Sequence, residues 1–422
     1  MTEAPRVPDG PSRVLLVNGN YQDGTVGGTQ SFTERLARQL HEVGRTVGVL
    51  CLGESDAVER HEGVTVFRLR PPRLTGLAGS APVRTLNQLL AMQNPWVARR
   101  VAAVLARFRP QLCHVQMLRT LTPSALRVLT AHPGLAVVQT THELFSLWDF
   151  DPFLPDLPHK IYSRPPRAIA PITQRHKRIS AGVDHVCAPS AFALNAYTSR
   201  GYFAGVPATV LPNSAPHEWG PPRELAARRL AAPPAARPRF LFVARLDHYK
   251  GVEVLLDALT RVPELDIAVD IAGEGVKADL VRERAALDPR ITYHGPVRGQ
   301  ARLALFRRAD VMVCPSTWTE TYCLAAAEAF AAAMPVIGTS VGALPETVRH
   351  GRTGLIVEPG DPAGLAEAIR RLADPAHRIP LITPSAEQAH ANAPSEFLAR
   401  QLAVYSEALR PRGFSLVSAP PR

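Results

Sequence analysis

This chain of 422 residues contains no uninterrupted apolar run near the ~20 residues of a membrane-spanning helix. It also lacks any H-E-x-x-H, so the helical zinc site of metalloproteases is excluded. Cysteine is scarce: Cys51, Cys113, Cys187, Cys314 and Cys323 are odd in number and show no C-x-x-C spacing. That argues against a disulfide framework and a thiolate zinc site, and for a reducing compartment. The first residues, 1–12, are polar and Pro-bearing without an apolar h-region, so they read as a loose tail and not as a signal peptide. The expected location is cytoplasmic, at most peripheral on the inner face of a membrane.

Acid is missing locally. The net charge is +11, and residues 63–142 hold ten arginines with no Asp or Glu. Residues 157–183 add Lys160, Arg164, Arg167, Arg175, Lys177 and Arg178, again without an acid. Two readings stay open: an arginine-rich composition overall, or a one-signed field for an anionic or lipid-linked acceptor or an anionic lipid surface. Nucleic acid is not expected as a partner, because no recognised DNA- or RNA-binding module accompanies the charge.

Hydrophobic residues make up 46% and charged residues 20%, the balance of a soluble globular protein, and the length suggests two domains of roughly 200 residues. Apolar runs of strand length at 13–18, 46–52, 64–69, 112–116, 135–141 and 183–189 alternate with helical patterns at 29–43, 123–131, 169–181 and 191–200. An Arg-rich amphipathic stretch, 83–108, is interrupted at Pro95. This alternation predicts a parallel sheet with covered faces. The first strand runs into Gly19-Asn-Tyr-Gln-Asp-Gly-Thr-Val-Gly27-Gly28, a Gly-rich loop that lets backbone approach a ligand. Its spacing is not G-x-G-x-x-G, so a dinucleotide fingerprint is not supported. His142 lies at the end of a strand, where ligands of open α/β sheets bind. Asp149-Phe-Asp151 is a D-x-D triplet, short enough to arise by chance.

Six prolines fall between 216 and 238, the expected linker. A second α/β unit, 239–385, then opens with Phe240-Leu-Phe-Val-Ala-Arg245 and a loop ending in Lys250-Gly251. Arg245 and Lys250 there place two cations beside free helix N–H groups, a cradle for a diphosphate. Further on, Asp310-Val-Met-Val-Cys-Pro-Ser316 is a buried strand delivering Glu320 to the mouth of a helix expected over 321–333. Glu328 is that helix's single charge. On a common helix axis, a rise of 1.5 Å per residue would separate the two carboxylates by roughly 12 Å, too far for a glycosidase pair but suited to two ends of one long ligand. The plainer alternatives are a dipole cap for Glu320 and a basic partner for Glu328. A last amphipathic run within 386–410 is expected to pack back on the first domain, and 411–422 to form a tail.

Several motifs recur together: Val243-Ala-Arg245-Leu-Asp-His-Tyr-Lys250-Gly251, Ala272-Gly-Glu-Gly275, His294-Gly295, Cys314-Pro-Ser316, Glu320 with Glu328, Gly342-Ala-Leu-Pro-Glu346 and Gly351-Arg-Thr-Gly354. In order and spacing they resemble the GT4 family of retaining glycosyltransferases. Gly27-Gly28, His142, Ser190 and Pro212-Asn213 resemble its N-terminal landmarks. The resemblance implies a GT-B fold, α/β, with two Rossmann-like doubly wound parallel-sheet domains facing a cleft: 13–215 for the acceptor and 239–385 for the donor nucleotide. It implies transfer of a sugar from a nucleotide-diphosphate sugar to an acceptor hydroxyl, with no metal and no other cofactor. The implied catalytic group is His142, Arg245, Lys250 and Glu320. The implied donor-binding set is Gly27, Gly28, Arg245, Lys250, Gly273, Glu320, Tyr322, Cys323, Leu324 and Glu328. Where the family usually carries glycine, this chain has Cys323 and Ala343. A sugar-nucleotide isomerase on the same fold and an inactive nucleotide-sugar binder are the alternatives.

Overall fold

The computed structural model describes residues 10–21, 28–70, 94–118, 121–144, 170–214 and 220–412. Gly27, the Asp149-Phe-Asp151 triplet, the first part of the 83–108 stretch, residues 1–9 and the tail from 413 lie outside them. The chain divides into two units, 1–211 with 397–422, and 212–396. Among the described residues no helix is long and apolar enough to cross a membrane.

The first unit contains β1 (Arg13–Asn18), α1 (Gly28–Glu42), β2 (Thr46–Leu52), β3 (Ala57–His61), β4 (Val64–Leu69), α2 (Pro95–Phe108), β5 (Leu112–Met117), α3 (Thr122–Ala131), β6 (Ala136–Thr140), α4 (Ala170–Ser180), β7 (His185–Ala188), α5 (Ala191–Thr198) and β8 (Ala208–Val210). Its sheet runs β3-β4-β2-β1-β5-β6-β7-β8. Every pairing is parallel except β3 with β4. The central strands β1, β5 and β6 are buried along nearly their whole length, which is why they read as continuous apolar runs. Strand β3, Ala-Val-Glu-Arg-His, is exposed at the sheet's edge and carries no such run, so the sequence did not reveal it.

The second unit contains α6 (Pro222–Ala231), β9 (Arg239–Val243), α7 (Val252–Leu259), β10 (Ala268–Ala272), α8 (Ala278–Leu287), β11 (Ile291–Tyr293), α9 (Gly299–Arg308), β12 (Val311–Cys314), α10 (Leu324–Ala331), β13 (Val336–Thr339), α11 (Leu344–Thr347), β14 (Gly354–Val357), α12 (Pro362–Ala373), α13 (Pro375–Arg378) and α14 (Ile382–Ala391). Its sheet is parallel throughout, in the order β11-β10-β9-β12-β13-β14. Strand order reverses direction between β9 and β12, so the loops after β9, β10, β12 and β13 all leave one edge at a switch point.

Three expectations are corrected. The stretch 216–238 is not a linker throughout, because Pro222–Ala231 is helical and buries Ala226 against Ile382 and Ala386. The run 386–410 is two helices: 386–391 ends α14 of the second unit, and α15 (Pro394–Leu409) crosses to the first unit at Phe397. Phe397, Leu402 and Tyr405 of α15 lie in the same core as Phe32, Leu36 and Leu40 of α1. Finally, the helix expected over 321–333 starts only at Leu324, since Cys323 has φ +68° and cannot belong to a right-handed helix. The axial rise between Glu320 and Glu328 therefore does not apply.

Candidate active site

In the second unit, the candidate residues gather on the loops that leave the C-terminal ends of β9, β10, β12 and β13. After β9, the chain turns through a short 3-10 segment, His248–Lys250, into Gly251, whose φ of +74° opens α7. A Cβ at Gly251 would lie 1.8 Å from the Pro315 carbonyl oxygen, so only glycine lets this loop lie on the one following β12. The same device recurs at Gly342 (φ +60°), where a Cβ would stand 2.3 Å from the Glu320 carbonyl oxygen. That oxygen accepts the Ala343 N–H at 2.8 Å. Two loops are thus pinned, backbone to backbone, on either side of Glu320.

The result is a tight ionic contact. Lys250 Nζ donates to Glu320 Oε1 at 2.6 Å, and Ser316 Oγ donates to the same oxygen at 2.8 Å. The Lys250 side chain is 26% exposed and that of Glu320 12%. Burial alone would lower the Lys250 pKa, but the adjacent Glu320 carboxylate outweighs it and leaves the ammonium above its ordinary value. Arg245 lies on the same loop, close enough for its charge to act against Lys250. Its guanidinium bonds Tyr249 Oη at 2.7 Å and Asp247 Oδ2 at 3.0 Å, and stands over the Tyr249 ring. It remains 59% exposed, so it is available to a ligand. Gly273 opens the loop after β10, with its N–H on Gly295 O and its carbonyl on the Tyr293 hydroxyl.

Tyr322 is buried beneath the β12–α10 loop, and its carbonyl accepts from Thr347 Oγ1 at 2.8 Å. Cys323 is the residue before α10, and Leu324 is the first residue of that helix. No side chain caps that helix's N-terminus among the described residues, which leaves N–H groups of its first turn for a ligand oxygen. Glu328, in the second turn, is 8% exposed and meets Arg302 of α9 through two bonds of 2.9 and 2.5 Å. Arg302 was not singled out from the sequence. Its signal was present, though: a buried carboxylate in an otherwise apolar helix requires a cationic partner.

Within the first unit, Gly28 is the first residue of α1 and His142 lies just past β6. Phe32 of α1 packs on the His142 ring, centroids 4.7 Å apart. Nε2 of His142 hydrogen-bonds Gln116 Oε1 at 2.6 Å, and burial lowers its pKa to about 3, so the imidazole is neutral at physiological pH. Gln116 was missed by sequence reasoning; it sits inside an apolar run, at the C-terminal end of β5. Among the described residues no group of three or more His, Cys, Asp or Glu side chains is arranged to hold a metal ion.

Two family models match consecutive parts of the chain: Glycosyltransferase Family 4 over residues 26–219, and Glycosyl transferases group 1 over 237–374. A D-inositol 3-phosphate glycosyltransferase of Arthrobacter sp. (strain FB24) is 38% identical over 150 residues, 33% of this chain and 35% of the relative. Another with that name, from Pseudarthrobacter chlorophenolicus, is 36% identical over 191 residues, 43% of this chain and 45% of the relative. The chain thus spans from about a third to just under half of the length of these curated relatives. Among solved structures, sucrose-phosphate synthase from Thermosynechococcus elongatus superposes with a TM-score of 0.71 at 24% identity, covering 94% of this chain and 99% of that one. Anabaena HepE, solved with UDP and glucose, gives 0.65 at 19% identity, covering 94% of this chain and all (100%) of the other. With both halves matched by sequence and the two-sheet architecture shared across nearly the whole chain, the protein belongs to glycosyltransferase family 4, the group 1 glycosyl transferases, and has their GT-B fold.

Proposed function

We propose that the protein is a retaining glycosyltransferase that moves a sugar from a nucleotide-diphosphate sugar to an acceptor hydroxyl without a metal ion. The observation that carries this reading is the Lys250–Glu320 contact at 2.6 Å. It joins the loop assigned to the diphosphate to the loop assigned to the sugar.

Breaking the bond between the anomeric carbon and the phosphate oxygen builds negative charge on the leaving diphosphate and positive charge on the sugar. Cations fixed in place before the reaction stabilise that separation without reorganising. Arg245 and Lys250 serve the diphosphate. An ammonium has three donors, and Glu320 engages one of those of Lys250, so the lysine can hold carboxylate and phosphate together. Glu320 and the N–H groups of 322–324 bind the sugar, and Glu328 takes the ribose hydroxyls. Retention follows if the acceptor oxygen attacks on the face the diphosphate leaves, its proton passing to the departing phosphate oxygen. His142, being neutral, contributes a hydrogen bond to the sugar and no charge.

A thermal-stabilisation panel of UDP, GDP and ADP identifies the base, since a ligand that binds only the folded state raises its melting point. With the matching donor, Lys250→Ala and Glu320→Ala are each expected to lower kcat/KM by about a hundredfold or more, and EDTA to leave it unchanged. Wild-type rates in both variants would remove the assignment.

The acceptor is proposed to be anionic or lipid-linked, with peripheral membrane association. Arg127, Arg175 and Arg178 line one open groove of about 570 Å³ on the first unit, with no acid among its lining residues. Co-sedimentation with anionic but not neutral liposomes, fading as salt rises, is the expected result. Indifference to lipid charge removes this part of the proposal.

A further inference from the structure

Glu328 is gripped end-on. Nη1 of Arg302 donates to its Oε1 at 2.9 Å and Nη2 to its Oε2 at 2.5 Å, so the guanidinium spans both carboxylate oxygens. Phe306, one turn further along α9 and fully buried, packs on the face of that fork, its ring centre 4.8 Å from Arg302 Cζ, and so fixes the plane. Among the described residues the two side chains hydrogen-bond only each other, yet neither is sealed off: the Arg302 side chain is 26% exposed and that of Glu328 11%. A guanidinium carries five N–H donors and a carboxylate about four acceptor sites, so three donors and about two acceptor sites are left over.

The leftover acceptor sites sit on the outer flanks of the two oxygens and point away from each other. Two neighbouring hydroxyls of one sugar ring therefore cannot take one oxygen each. Along an edge of the pair, however, an unused N–H of Arg302 lies beside an unused lone pair of Glu328. The N–O spacing there, 2.9 or 2.5 Å, is one hydrogen-bond length, which is also about the separation of neighbouring cis hydroxyls. Such an edge reads a vicinal diol as one donor and one acceptor.

We propose that Arg302 contacts the nucleotide itself: the edge of the Arg302–Glu328 pair holds the ribose cis-diol, one hydroxyl donating to a Glu328 oxygen and its neighbour accepting an N–H of Arg302. The proposal rests on the donor-site reading above, which gives the ribose to Glu328, and adds a specificity-determining contact from α9. The ion pair stays intact when the ligand is bound, and no proton moves. Because both partners are charged and each takes one hydroxyl, a nucleotide lacking either hydroxyl leaves a charged group unmatched.

The test measures Kd by calorimetry on the full-length protein, with the nucleoside diphosphate picked out by the UDP, GDP and ADP panel and with its two analogues that each lack one ribose hydroxyl. Wild type is expected to bind either analogue about tenfold or more weakly than the parent. Arg302→Leu strands Glu328 as an unpaired carboxylate and threatens the fold, so Arg302→Lys is the deciding variant. Its ammonium keeps a cation beside Glu328 but ends one bond short of the Nη atoms and has no planar fork. Arg302→Lys should bind the parent about tenfold or more weakly than wild type does. One of the two analogues should then bind it as well as the parent, because the hydroxyl missing there has already lost its donor. Arg302→Lys that still discriminates against both analogues as wild type does would show that Arg302 only ties α9 to α10, and overturns the proposal. Wild type that binds the analogues as tightly as the parent overturns it too, while leaving the donor reading standing. Failure to bind any nucleotide removes that reading, and the diol site with it.

Discussion

Four histidines of the first unit are buried, and burial lowers the pKa of each: His114 well below 6.5, His142 to about 3, His176 to about 4, and His185 below its ordinary value although Glu407 pulls the other way. His114 is locked between the Tyr405 hydroxyl and Thr140 Oγ1, both at 2.7 Å. Near pH 6.5 the unfolded chain takes up these protons, whereas the folded unit refuses them. The folded pKa values lie below the unfolded ones, so this contribution is complete above about pH 6.5 and is lost as pH falls toward 3–4. Below pH 6 His114, His142 and His176 each cost about 1.4 kcal/mol per pH unit. Thermal unfolding of the first unit should therefore drop steeply between about pH 6.5 and 5; a midpoint that stays level would show that these rings do titrate in the fold. Sequence alone could place His142 at a strand end but not reveal its neutrality, which burial sets, with Phe32 of another element packed on the ring.

At the scale of elements, the parallel strands were legible because their apolar runs are buried on both faces. The Lys250–Gly251 loop and the Glu320 turn were legible because cations, acids and glycines recur there at fixed spacing. Helix α6 was not. Its prolines and arginines read as a linker, yet Pro221 and Pro222 merely start the helix, and Arg229 is the residue that docks it. The Arg229 guanidinium donates to Phe306 O, Ala309 O and Ala332 O, at 3.2, 2.8 and 2.9 Å, satisfying carbonyls at the C-terminal ends of α9 and α10. That contact is 80 to 103 residues away in the chain for Ala309 and Ala332, so no local pattern could announce it. Replacing Arg229 by Ala orphans three carbonyls and is expected to cost about 2–4 kcal/mol. Arg229→Lys should recover only part of it, because a point charge cannot span the three acceptors. Urea unfolding of the second unit measures both. A loss under about 0.5 kcal/mol in the alanine variant would mean the helix is held by Leu225 and Ala226 alone.

For the whole molecule, the informative feature is the route of the chain, which leaves the first unit at Leu211 and returns to it at Phe397. The final helix is therefore part of the first unit's core, although almost two hundred residues of the second unit precede it. Phe397, Leu402, Val404, Tyr405 and Leu409 are buried in that core, and Tyr405 satisfies His114. Beyond the helix, Arg412 grips Asp184 at 2.9 and 3.2 Å, and Asp184 in turn accepts the Val137 N–H. At about 1.5–3 kcal/mol per large apolar side chain, losing these contacts removes an amount comparable to the entire stability of a domain. A chain ending at Ala393 keeps every residue of the second unit except its last three and should leave that unit folded, while the first loses cooperative unfolding. Limited proteolysis is then expected to yield a resistant fragment spanning roughly 220–393, with nucleotide stabilisation of the second unit largely retained. Digestion of both units at equal rates would show that the second cannot stand without the first. A first unit that still melted sharply would show that α15 only covers a core complete without it.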